Sequence, residues 1–101
     1  MIARVWKGWT RPENADAYER LLRECVLPGL QGIDGFRGMY ILRQDVADEA
    51  EFVVMNLFET LEAVKAFAGP EYETPVFEPE ARALLSRVEA IARHYEIKQA
   101  P

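Results

Sequence analysis

The chain has 101 residues, half of them apolar by a wide count and 29% charged, the make-up of one ordinary globular domain. That excludes a second core, collagen-like repeats, low complexity and disorder. Twelve Lys and Arg against seventeen Asp and Glu leave a net charge of −5, with no compact basic cluster, so neither nucleic acid nor an anionic membrane is an expected partner.

The opening Met1-Ile2-Ala3-Arg4 has no basic segment followed by an apolar run, so no secretory leader is expected. No apolar stretch reaches the roughly 20 residues of a membrane span, and a cytoplasmic location follows as the default expectation. Ile2 to Trp9 reads as a first strand carrying Ile2, Val5, Trp6 and Trp9, with Arg4 and Lys7 interrupting. Thr10-Arg11-Pro12-Glu13 then has the form of a capping box with a proline in the first helical turn. Tyr18, Leu21, Leu22, Cys25 and Val26 recur at three- and four-residue spacing, which predicts a one-faced helix ending at Pro28-Gly29. Gly29, Gly32, Gly35 and Gly38 follow a helix and precede a strand, the reverse of a phosphate-binding loop, and read as turn residues.

Phe36 to Val46 predicts a second strand, residues 45–50 a polar hairpin loop, and Glu51 to Glu59 a third strand. Thr60 is placed to cap a short helix with Leu61, Val64 and Phe67 on one face, stopped by Gly69-Pro70. Pro70 to Pro79 reads as a loop, residues 80–87 as helical, and the segment beyond Val88 as a last strand. The order β-α-β-β-α-β, with short connections, predicts a ferredoxin-like α+β fold: one antiparallel sheet with its helices on one face, in a single domain over residues 1–101.

Phe52-Val53-Val54-Met55-Asn56-Leu57-Phe58 is apolar on both parities. The second strand behaves alike, with Phe36, Tyr40 and Leu42 assigned to one face and Met39 and Ile41 to the other. Helices cover one face only, so the other predicts a homodimer formed through the sheet.

Cys25 is the only cysteine and His94 the only histidine, which rules out an intrachain disulfide, a cysteine zinc site and the usual transition-metal constellations, so no metal is expected.

Several segments carry a family resemblance: Ile2-Ala3-Arg4-Val5-Trp6, Pro28-Gly29-Leu30, Gly35-Phe36-Arg37-Gly38, Asn56-Leu57-Phe58-Glu59-Thr60, Ala66-Phe67-Ala68-Gly69-Pro70-Glu71-Tyr72 and Arg93-His94-Tyr95-Glu96-Ile97. Over nearly its whole length the chain resembles the antibiotic biosynthesis monooxygenase family of dimeric α+β barrels. The resemblance implies two sheets facing each other across a dimer and a mostly apolar pocket between sheet and helices in each subunit. It also implies oxidation of small aromatic or quinol-type compounds by molecular oxygen with no metal, flavin or haem, so no cofactor is expected. A haem-degrading branch of the same resemblance uses an Asn, a Trp and a His at positions that fall near Lys7, on Phe67 and on Phe77, so haem degradation is disfavoured.

Within that frame His94, Tyr72 and Asn56 are the candidate catalytic residues, and Trp6, Tyr40, Phe58, Phe67 and Phe77 the candidate pocket lining. His94 is the one side chain that ordinarily titrates near neutrality and is the natural base; the competing reading is a packed, hydrogen-bonded histidine. Asn56 interrupts an apolar strand and either orients a substrate oxygen or bonds the backbone. Tyr72 either reaches a pocket mouth or anchors its loop on Phe67 or Phe77. Cys25, on an apolar helix face, reads as an inert thiol. A non-catalytic ligand-binding or structural dimer of the same fold is the alternative function.

Overall fold

The computed structural model describes residues 1–101. Strand β1 (Ile2–Thr10) leads into helix α1 (Pro12–Leu21), a π-helical turn (Leu22–Val26) and α2 (Leu27–Gln31), which together form one continuous rod. Strands β2 (Phe36–Val46) and β3 (Glu49–Phe58) form a hairpin, followed by α3 (Leu61–Ala68), a long loop, α4 (Pro79–Leu84), β4 (Leu85–Val88) and β5 (Arg93–Glu96). The antiparallel sheet has the order β2-β3-β1-β4, and β5 also pairs with β1. This is the ferredoxin-like α+β order, with the fourth-strand position filled by two short strands on the same edge of β1. No helix is long and apolar enough to cross a membrane.

Three local expectations need correction. The first helical rod does not stop at Pro28-Gly29. Proline lacks the N–H that would bond four residues back, and its ring crowds that carbonyl. The chain widens before it into the π turn, where the Leu27 N–H bonds to Leu22 O, and the rod then continues to Gln31. The capping box does not form: Arg11 is the N-cap, without a side-chain cap, because Thr10 is still paired with Ala50 in the sheet and its buried hydroxyl has no partner. Residues 85–88 are strand, not helix, since Leu85 and Val88 pair with Thr10 and Gly8 at the free edge of β1. By contrast Thr60 caps α3 as expected, its hydroxyl accepting from the Ala63 N–H at 3.1 Å.

The helix-facing side of the sheet is built from Arg4, Trp6 and Thr10 on β1, Ala50, Phe52, Val54 and Phe58 on β3, and Leu85 on β4, all buried. Two apolar clusters occupy it. The larger contains Trp6, Tyr18, Leu22, Phe52 and Val54; the smaller contains Leu30, Phe36, Phe58 and Val64. Phe36 belongs to this side, whereas Tyr40 and Leu42 belong to the other. A bulge between Phe36 and Gly38 shifts the alternation by one residue. Gly38, at φ +148°, is the residue after the bulge. Gly35, at φ +86°, sits so close to α3 that a Cβ there would lie 2.8 Å from the Ala63 Cβ.

The opposite side of the sheet carries Val5, Trp9, Tyr40, Leu42, Val53, Met55, Leu57 and Tyr95, with no helix over it. Tyr40 is 56% exposed and Tyr95 53%. Arg87 lies 3.9 Å over the Trp9 ring and pairs with Glu49, which closes one end of this apolar face with charge.

Candidate functional site

Strand register places one transverse row across the sheet. Met39 pairs with Asn56, Asn56 with Arg4, and Arg4 with His94. The row marks the seam between the two apolar clusters, and three of its four side chains are polar. Above it lies a cavity of about 200 Å³. Its floor is Arg4, Trp6, Val54 and Asn56; its roof is Tyr18, Leu22, Val26 and Leu30 from the helical rod; Phe67 and the Pro75–Glu78 segment close its side. The π turn supplies Leu22 and Val26 to that roof, so the proline that widens the helix also shapes the cavity.

Arg4 dominates the electrostatics. It is only 5% exposed. Its Nη1 donates to the Tyr72 carbonyl and, at 2.9 Å, to His94 Nε2; its Nη2 donates to the Thr74 carbonyl at 3.3 Å. The Phe67 ring lies 5.8 Å away under the guanidinium. None of the salt bridges in the molecule involves Arg4. Burial pulls its pKa below the usual arginine value, yet a guanidinium remains charged at neutral pH. A buried cation is thus surrounded by neutral acceptors alone.

His94 is not part of the cavity wall; it stands behind Arg4. Arginine has no lone pair to offer, so His94 Nε2 accepts and its proton resides on Nδ1. Burial first, and then the charge of Arg4, lower the His94 pKa, with Glu73 partly opposing. The imidazole is neutral at pH 7, and the lone pair a base would use is already engaged. Tyr72 also lies outside the cavity wall: its ring meets the His94 ring edge-on at 5.1 Å, and its carbonyl helps hold Arg4.

Asn56 does line the cavity, and its buried Oδ1 has no hydrogen-bond partner. Trp6, Phe67 and Phe77 line it as well. The Trp6 Nε1–H is satisfied by the Glu89 carbonyl at 3.0 Å, and Phe77 packs edge-on against the indole at 4.9 Å. Two expected lining residues lie elsewhere. Tyr40 is on the uncovered face, because the bulge reverses its parity relative to Phe36. Phe58 faces the helices but is fully buried between Phe36 and Phe67, at centroid distances of 5.7 and 5.8 Å, one row beyond the cavity.

Two polar residues of the site escaped the sequence reading. Arg4 shares the parity of Trp6, two residues apart on a strand whose even positions face the helices. Tyr18 sits on the apolar face of α1, edge-on to Phe52 at 4.9 Å, and lines the cavity. Burial raises its pKa far above the usual tyrosine value, so it stays a neutral hydroxyl.

The chain is thus a ferredoxin-like α+β domain with a mostly apolar cavity between sheet and helices and polar groups in its wall. The family model of antibiotic biosynthesis monooxygenases matches residues 1–72, and the chain belongs to that family. Among solved structures it is similar to a candidate antibiotic biosynthesis monooxygenase from Bacillus cereus, with 20% identity over 99% of this chain and 93% of that one and a TM-score of 0.65. A second candidate of the same description, from Deinococcus radiodurans, shares 15% identity over 100% and 96% of the two chains, with a TM-score of 0.68. A haem-degrading protein from Mycobacterium tuberculosis, solved with two haems bound, shares 17% identity over 100% and 99%, with a TM-score of 0.63. At these identities the likeness is one of fold. No curated protein matches the chain.

Proposed function

We propose that the protein is a cofactor-independent monooxygenase acting on a small aromatic or quinol-type compound. The observation that carries this reading is an apolar cavity whose inner end presents a buried guanidinium and an unpartnered amide. A cavity of about 200 Å³ suits a compound of one ring or two fused rings. Lys7, Phe67 and Phe77 at the positions considered for haem degradation support the small-ligand reading over that chemistry.

The chemistry needs only the substrate as reductant. A ring CH₂ next to a conjugated hydroxyl or carbonyl loses a proton to give a delocalised anion. The anion transfers an electron to O₂, and the radical pair joins through a new C–O bond to give a peroxide anion. Reprotonation and loss of water convert that carbon to a carbonyl, so CH₂ plus O₂ becomes C=O plus H₂O. The protein contributes shape, exclusion of water and stabilisation of the anion. Asn56, Tyr18 and Arg4 are the polar groups on the sheet and helix sides of the cavity and Glu78 the one on its loop side, while His94 and Tyr72 support Arg4 from behind.

The uncovered apolar face supports assembly as a homodimer through the sheet. Replacing Tyr40 and Leu42 together by Glu is expected to give a monomer in sedimentation; a wild type that is already monomeric would refute the dimer.

Oxygen uptake by chelator-treated protein against anthrones, naphthols and hydroquinones tests the activity. Uptake above the uncatalysed rate, at one O₂ per carbonyl formed, is expected. Saturable binding of such compounds with no uptake would instead establish a non-catalytic ligand-binding dimer.

A further inference from the structure

We infer that the cavity is an anion site: it takes its aromatic ligand as a monoanion whose ionised oxygen lies against Arg4, and it discriminates against neutral isosteres. The inference rests on the proposed use of this cavity for a small aromatic compound, and it names the charge that compound carries.

The Arg4 guanidinium has five N–H donors. Two on Nη1 go to Tyr72 O and His94 Nε2, and one on Nη2 goes to Thr74 O. The Nε–H and the second Nη2–H have no protein acceptor. Two of the five donors, the Nε–H and one Nη2–H, thus remain open to a further acceptor, and a guanidinium with open donors is a ready partner for an oxyanion or a carboxylate. Every acceptor Arg4 already has is neutral, and none of the ion pairs reaches it, so its charge is left without a counter-ion in a mostly apolar wall. An unpaired buried charge is costly, and the cost is relieved when a ligand supplies the counter-ion.

The surroundings leave that role to a ligand. His94 is held neutral behind Arg4, and Tyr18 remains a neutral hydroxyl. Glu73 and Glu78 are exposed on the loop, outside ion-pair distance of Arg4, and Lys65 is directed to the Tyr72 ring at 5.6 Å. Glu78, at the exposed side of the cavity wall, is its one carboxylate and makes no ion pair with Arg4. The ligand's proton leaves to water or to that carboxylate, driven by the charge of Arg4, and the bound anion is the stable form.

The probe is 4-nitrophenol, whose phenolate is coloured and which is not itself oxidised by O₂. Bound to the wild type, its ionisation is expected at least one pH unit below that of the free phenol, and its phenolate is expected to bind at least tenfold more tightly than 4-nitroanisole. Adding 4-nitrobenzoate separates a carboxylate ligand from a phenolate one. Arg4→Lys is expected to keep part of the preference and Arg4→Met to abolish it. Because Arg4→Met also frees the loop carbonyls, the wild-type titration decides the matter without it. Equal affinity for the anisole, ionisation unshifted or raised on binding, or no phenolate binding at millimolar concentration would overturn the inference. Anion preference without oxygen uptake on any compound would retain this site and remove the oxygenase; uptake with a neutral preference would do the reverse.

Discussion

Replacement of His94 separates a base from a positioning residue. In the structure His94 Nε2 accepts one N–H of a buried guanidinium at 2.9 Å. His94→Ala removes that acceptor and leaves the donor unpaired, which costs about 1–3 kcal/mol. His94 is partly exposed, so water replaces some of the loss and the lower half of that range applies. At about 4–8 °C per kcal/mol for a domain of this size, the melting temperature should fall by roughly 4–16 °C. His94→Gln restores an acceptor oxygen and should recover most of the stability and of any oxygen uptake. The pH dependence follows the same logic. The folded-state pKa of His94 is lowered, so the unfolded chain binds the extra proton first as pH falls. The stability that neutral His94 contributes is complete above about pH 6.5 and is lost as pH falls through the lower folded-state value. Wild type should therefore lose more stability than His94→Gln between pH 7 and 5 in urea denaturation. An Ala variant as stable as wild type, or uptake abolished equally by Ala and Gln with no change in stability, would refute the positioning role and return His94 to the role of base.

Thr10→Val exchanges a fully buried hydroxyl without a partner for a methyl of the same shape, and should stabilise the fold by about 1 kcal/mol in urea denaturation. Asn56→Leu removes the other unpartnered buried oxygen: stability should hold or rise by about 1 kcal/mol while affinity for phenolic ligands falls, measured by titration. Gly8→Ala would put a Cβ 2.8 Å from Trp6 Cζ3, forcing the indole toward the cavity. A loss of about 1–3 kcal/mol, a changed tryptophan emission and weaker ligand binding are expected.

Most of the fold was legible because its signals are local. The periodicity of Tyr18, Leu22 and Val26, the Thr60 cap and the paired apolar strands each act within a few residues. The errors arose where a distant partner decided the outcome. Thr10 fits a helix cap by sequence but is claimed by Ala50 across the sheet. Leu85 to Val88 suit a helix until the free edge of β1 pairs with them. Tyr40 takes the parity opposite to Phe36 because of a bulge that alternation alone does not reveal. At the site, Trp6, Phe67 and Phe77 were readable as aromatic residues with somewhere to pack. Arg4 was not, because an arginine on a strand is ordinarily exposed, and only register brings it beside Asn56 and His94.

The burial of Arg4 also explains why loop and site form one unit. A cation in an apolar wall is tolerated only if its donors are largely satisfied, and the carbonyls of Tyr72 and Thr74 do that from the loop that closes the cavity. Ala92 N–H holds the same loop through Glu73 O at 2.7 Å, on the approach to β5, which carries His94. Arg4 thus fixes the side wall of the cavity through the Tyr72 and Thr74 carbonyls and retains two N–H donors without a protein acceptor. The uncompensated charge and the unpartnered Asn56 oxygen are local departures from good packing that cost stability in the empty protein. Their adjacency on one rung of the β1–β3 ladder, facing one cavity, is what supports the proposal that they meet the ligand there.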